Sequence, residues 1–152
     1  MEKIIDIKAR EILDSRGNPT VECDIFFENY FFGRAAVPSG ASTGMHEAIE
    51  LRDGDKKRYN GKGVKKAIFN ILELIAPKII DKSFNSINEF DEILLSIDGT
   101  NNKSHLGANA TLALSLAFAK GLAAQKKQYL FEFLSTNTDY IMPVPMMNII
   151  NG

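Results

Sequence analysis

The sequence is poor in the residues that build cysteine and histidine chemistry. Its 152 residues hold one cysteine, Cys23, and two histidines, His46 and His105. A lone cysteine forms no internal disulfide and excludes a cysteine-based metal cluster. Neither histidine has a second histidine or a cysteine at ligand spacing, so both read as solvated side chains. A basic excess is missing too. The 18 Lys and Arg stand against 19 Asp and Glu, for a net charge of -1, which speaks against nucleic acid as a partner. The N-terminus does not read as a signal peptide, because Glu2, Lys3 and Asp6 interrupt its apolar residues. The longest apolar stretch, Leu106 to Ala119, contains Asn109, Thr111 and Ser115, and is too short and too polar to span a bilayer. What remains is a soluble chain, expected in the cytoplasm and long enough for one domain with a proper core.

What is present reads first as strand, then as helix. Ile5, Ile7 and Ala9 alternate with Asp6, Lys8 and Arg10, the pattern of a half-buried strand. The run Asp14-Ser15-Arg16-Gly17-Asn18-Pro19 concentrates turn formers and reverses the chain. From Thr20 to Phe27 the alternation resumes, with Val21, Cys23, Ile25 and Phe27 on one face and Glu22 and Asp24 on the other. Cys23 therefore reads as a buried, inert thiol. Glu28-Asn29 can close a hairpin onto Tyr30 to Val37, completing an antiparallel meander of three strands. Further on, Val64, Ala67, Ile68, Ile71, Leu72 and Ile75 form one helical stripe that Pro77 is expected to end or kink. Ser86 with Glu89 predicts a capping box for a second helix whose buried face is Ile87, Phe90, Leu94 and Ile97. A third helix, about Gly107 to Ala124, is apolar nearly all round and is expected at the centre of the domain. A short helix, Leu130 to Leu134, follows. The tail, Pro143-Val144-Pro145 and then Met146 to Ile150, reads as an extended segment leading into a strand. The fold class is α+β: a three-stranded antiparallel meander followed by about four helices.

Between strands and helices lies Pro38-Ser39-Gly40-Ala41-Ser42-Thr43-Gly44. Gly40 and Gly44 tolerate backbone angles closed to other residues, so the loop can fold closely over a ligand. Its three hydroxyls offer oxygen donors suited to a hard cation such as magnesium. A strand leads in through Val37, and His46 to Leu51 is expected to lead out as a helix. From the residues alone, the loop reads first as an ordinary surface connection, since Ser, Thr and Gly favour loops.

Several blocks together resemble the enolases (phosphopyruvate hydratases), in particular their bacterial branch. They are Asp14-Ser15-Arg16-Gly17-Asn18-Pro19-Thr20-Val21-Glu22, the loop from Val37 to Gly44, Leu51 to Asp55, Gly61 to Val64, Asn102 to Ser104, Leu106 to Ala110 and Met142 to Gly152. The match runs through essentially the whole chain in order. It implies an enolase N-terminal domain over residues 1–140, with 141–152 as a linker and the truncated start of the first strand of an absent α/β barrel. It also implies the reversible dehydration of 2-phosphoglycerate to phosphoenolpyruvate, with two magnesium ions, in a homodimer or higher oligomer. In the family the lysine base, the assisting glutamate and the carboxylates of the first magnesium lie on the barrel. The resemblance therefore implies no catalytic residue in this chain, which is expected to be inactive and metal-free by itself. The lid loop carries over as Ser39, Gly40, Ala41, Ser42, Thr43 and Gly44, with Ser42 as a ligand of the second magnesium in the intact enzyme. Arg10 and Glu22 match positions that form ion pairs across the dimer interface. Their rival reading is as charges on the wet face of strands. The competing function is a non-enzymatic module that binds through an exposed surface.

Overall fold

A computed structural model describes residues 3–39, 44, 47–137, 139–147 and 149. Strands β1 (Ile4–Leu13), β2 (Pro19–Phe27) and β3 (Phe32–Ala36) form one antiparallel sheet in the order β1-β2-β3. The turn between the first two is built as its residues dictate. The Asp14 carboxylate accepts from the backbone N–H groups of Arg16 and Asn18, both at 2.8 Å. The sheet register places Ala9, Cys23 and Ala35 in one row and Ile7, Ile25 and Gly33 in the next, all toward the core.

Four helical rods complete the domain. The first joins α1 (Lys65–Phe69), a π-helical segment (Asn70–Ile75) and α2 (Ala76–Ile79) without interruption. Pro77 neither ends nor breaks it. The ring of a proline normally collides with the carbonyl four residues earlier. Here the chain is already widened, with Ala76 N–H donating to the Ile71 carbonyl five residues back. The rod buries Ala67, Ile71, Ile75 and Ile79. Helix α3 (Ile87–Asp98) is capped by Ser86 as its sequence predicts: Glu89 N–H donates to Ser86 Oγ at 3.1 Å. The Glu89 carboxylate reaches back one residue further than a standard capping box, accepting from Asn85 N–H at 2.6 Å. Gly99, in the left-handed region at φ 68°, closes the helix. Helix α4 (Ala108–Gln125) lies on the core face of β2 and β3, the central position its composition predicts. Helix α5 (Leu130–Leu134) is the last element.

Sheet and helix meet through glycine. A Cβ on Gly33 would collide with the Ala117 carbonyl and the Gly121 backbone, and one on Gly121 would enter the Phe27 ring. With both side chains absent, β3 lies directly on α4 and the Phe27 ring covers the crossing. Around it, Phe90 stacks on Phe118 at 4.1 Å between ring centroids, and Phe84 meets Phe90 edge-on at 5.1 Å.

Two expectations need correction. Residues 47–51 are not helical, because distant groups take the backbone bonds a helix would use. Ile49 donates to the Asn102 carbonyl at 2.8 Å and accepts from Ala108 at 2.7 Å. The Asn109 side chain accepts from Leu51 N–H at 3.1 Å and donates to the Leu51 carbonyl at 3.0 Å. His46, expected to begin that helix, lies outside the described residues. The tail strand is not formed at 146, 147 or 149, and Asn148 and Ile150 lie outside the described residues. No sheet edge is paired with it, and Met142, Val144, Met146 and Ile149 are exposed. Asp24, on the sheet face opposite Cys23, is 2% exposed, beneath two arginines.

The glycine crossing yields a direct test. Gly33→Ala forces a methyl group against backbone that cannot swing aside, and should cost about 1–3 kcal/mol of unfolding free energy in denaturant melts. An unchanged midpoint would show that α4 does not bear on β3 in this way.

Candidate functional site

The stem of the glycine and serine loop is fixed from both sides. On the incoming side, Val37 N–H donates to the Val21 carbonyl at 3.0 Å, and Thr20 Oγ1 donates to the Val37 carbonyl at 2.5 Å. On the outgoing side stands Arg52. Its Nη1 donates to the carbonyls of Pro19 and Lys62, each at 2.6 Å. Its Nη2 donates to Ser39 Oγ at 3.0 Å and to Glu50 Oε1 at 2.6 Å. Ser39 in turn donates to Glu50 Oε2 at 3.0 Å, closing a ring of three side chains. A guanidinium has the fixed fork this requires, and a lysine does not. One residue thus ties the start of β2, the root of the loop, the segment after it and the approach to α1.

Two clefts open beside this stem. One, of about 300 Å³, is lined by Asp14, Arg16, Asn18, Ser39, Arg52 and Lys62, among others. Lys62 Nζ donates to Asn18 Oδ1 at 3.0 Å, and hydrogen bonds from backbone N–H groups, Asn18 first, hold the Asp14 carboxyl below its ordinary range. The other, of about 440 Å³, runs past Val37, Pro38, Gly44 and Glu47. The stem is therefore a rigid, charged frame beneath a loop. Cys23 is buried in the core, and burial pushes its thiol up to about 12, as its place in the apolar series implies.

Of the lid residues, the structure describes Ser39 and Gly44. Gly40, Ala41, Ser42 and Thr43 lie outside the described residues. Among the described residues no three His, Cys, Asp or Glu side chains converge as a metal site. His105 is exposed, with its Nδ1 3.2 Å from the Asp98 carbonyl oxygen. Arg52 and Glu50, which frame the site, carry no sequence signal of that role. Their partners lie up to 33 residues away.

Arg10 and Glu22 are brought together within the chain. They face each other in the register of β1 and β2, and Arg10 Nε donates to Glu22 Oε1 at 2.6 Å. Both belong to a larger cluster centred on Asp24. Lys8, Asp24 and Arg34 share one cross-strand row, Arg34 Nε donates to Asp24 Oδ1 at 2.6 Å, and Arg10 Nη1 donates to Asp24 Oδ2 at 2.9 Å. Burial opposes the ionisation of Asp24, but the hydrogen bonds from Arg34 and Arg10 outweigh it and hold the carboxyl below its ordinary value. At the far end of β1, Glu11 is lowered chiefly by its hydrogen bond with Arg58, and its Oε2 accepts from Val64 N–H at 2.9 Å.

A carboxyl lowered on folding stabilises the fold fully above its unfolded value, near 4, and loses that contribution as pH falls through the folded value. Urea midpoints should therefore hold above about pH 5 and decline below about pH 4. Asp24→Asn should lower stability at neutral pH by about 1–3 kcal/mol and lose less than the parent protein on acidification. Equal acid sensitivity in the two proteins would remove Asp24 from this account.

A family model described as the N-terminal domain of enolase matches residues 4–134. The matched region runs from the first residue of β1 to the last of α5 and contains both the meander and the helices packed on it. By that match and that architecture, the chain belongs to the enolase N-terminal domain family.

Proposed function

We propose that the chain serves as the N-terminal domain of an enolase that reversibly dehydrates 2-phosphoglycerate to phosphoenolpyruvate, and that its part is the lid loop Ser39 to Gly44. The observation that carries this reading is the family match over residues 4–134, taken with the loop motif standing on the stem locked by Arg52. The frame ties Ser39, at the root of the lid, and Glu50, beyond it, to Arg52. Ser42 would supply its hydroxyl and its backbone carbonyl to the second magnesium ion in the intact enzyme, alongside ligands that this chain does not contain. Magnesium there would stabilise the developing enolate charge. The reading places the enzyme in the cytoplasm and in glycolysis. The described residues include no helix long and apolar enough to cross a membrane. In a homodimer, contacts of Arg10 and Glu22 with a second copy would share these side chains with their own pairing.

A second reading, a surface-binding module, draws on one observation. Tyr129, Phe131 and Tyr140 form an exposed aromatic cluster beside the apolar tail. Such a face fits a domain that packs against the remainder of an enolase and equally a docking surface.

Activity tests the first reading. Phosphoenolpyruvate formation, followed by ultraviolet absorbance, should be undetectable with these 152 residues alone, since the proton-abstracting base is not among them. Turnover near that of an intact enolase would sink the assignment of the catalytic groups to the barrel. In a complete enzyme carrying this domain, Ser42→Ala should raise the magnesium concentration for half-maximal activity by about tenfold or more. An unaltered magnesium dependence takes Ser42 out of the metal site.

A further inference from the structure

A further cleft, of about 530 Å³, opens where the first helical rod meets the loop before α4. It is lined by Leu51, Lys65, Lys66, Phe69, Asn70 and His105, none of which lines the two clefts beside the lid stem. Lys66, Phe69 and Asn70 are spaced i, i+3 and i+4, so they share one face of the rod. That face combines three kinds of group. Lys65 and Lys66 are exposed, and neither enters an ion pair among the described residues. Their backbone N–H groups are already given to the Asp53 carboxylate, at 3.0 and 2.8 Å, so the free donors are the side-chain ammonium groups. Phe69 is 58% exposed, a large apolar surface beside two cations. Asn70 is 9% exposed. Its Nδ2 donates to the carbonyls of Leu106 at 2.9 Å and His105 at 3.3 Å. Those bonds fix the amide, because the reverse orientation would set its oxygen against two carbonyl oxygens. Asn70 Oδ1 is thereby left over. It accepts from none of the described residues, and it is not sealed from solvent.

The complement of such a cleft has three parts: an anion for the ammonium groups, a flat apolar body for the Phe69 ring, and a donor for Asn70 Oδ1. Water satisfies the last of these, but it answers neither the charge nor the exposed ring. We infer that the cleft binds a small aromatic anion that also carries a hydroxyl or amino donor. The anion lies at Lys65 and Lys66, the ring against Phe69 and Leu51, and the donor on Asn70 Oδ1. One helical turn, about 6 Å, separates Lys66 from Asn70. A single ring with its anion and its donor at opposite ends spans that distance, and the cleft is large enough to hold it. The inference does not depend on the enolase reading.

The test is a titration with para-hydroxybenzoate, benzoate and phenol at constant ionic strength, followed by amide NMR signals of the isotope-labelled protein. Para-hydroxybenzoate should give saturable shifts at Lys65, Lys66, Phe69, Asn70 and His105. Benzoate lacks the donor and phenol lacks the charge, so each should bind about fivefold more weakly or worse. Replacing both lysines, Lys65→Gln together with Lys66→Gln, should weaken para-hydroxybenzoate by about tenfold and leave phenol unchanged. Both side chains are exposed, so the double variant keeps the fold. The comparison of the three probes on the unmutated protein needs no variant at all. Equal affinity for the three probes, binding indifferent to the lysine replacements, or no saturable shift around the cleft would each overturn the inference.

Discussion

Everything in this domain depends on how closely β3 can approach α4. The two backbones meet where Gly33 faces Ala117 and Gly121, a separation that leaves no room for a methyl group on either glycine. That contact sets the height of the sheet above the helix. It brings the rows containing Ile25 and Cys23 down onto α4, and it lets Phe27 and Phe118 close the end of the core at 5.8 Å between rings. Small residues along α4 serve the same close packing: Ala110, Ala113 and Ala117 are buried on it, with Leu114 and Phe118 filling the volume between.

The opposite side of the sheet is organised by charge. In a sheet with one face on a helix, the other face normally meets water. Here Asp24 sits almost fully covered on that face, and it stays ionised because Arg10 and Arg34 converge on its two oxygens. The arginines do the covering themselves, with their stems over the strands and their heads on the carboxylate. Lys8 and Arg34 extend the layer over Phe26 and Phe32, the two rings that stack at 5.7 Å. The result is a polar face with fixed geometry.

Between these two faces the chain must cross from strand to helix, and it does so through an unusually rigid irregular segment. Residues 47–51 form no helix, yet Ile49 and Leu51 each have both backbone groups engaged by residues 102–109. Arg52 then locks the segment to β2 and to the approach of α1. Beyond it, Asp53 caps the first rod by accepting from Lys65 and Lys66 N–H groups at 3.0 and 2.8 Å. These bonds tie Ser39 on one side and residues 49–53 on the other into the body of the domain.

Wherever the relevant forces are local, the sequence was sufficient. Alternation in Val21, Cys23, Ile25 and Phe27 marks the inner face of β2, Ser86 marks the start of α3, Gly99 its end, and the alanine-rich run marks α4. Nothing local announced the role of Arg52, whose partners include the backbone carbonyls of Pro19 and Lys62. The helix expected at His46 to Leu51 failed for the same reason: propensity favoured it, and bonds to Asn102, Ala108 and Asn109 outweighed propensity. Pro77 was tolerated because a π-helical widening upstream removed the clash. The sequence by itself thus determined β2 and its inward face and the helices α3 and α4, because those follow from neighbours one to four residues apart. Only the tertiary structure decided that Asp24 is buried and ionised and that Arg52 joins Ser39 and Glu50 to the start of β2. Those outcomes arise from groups distant along the chain, brought together or kept apart by how closely sheet and helices can pack.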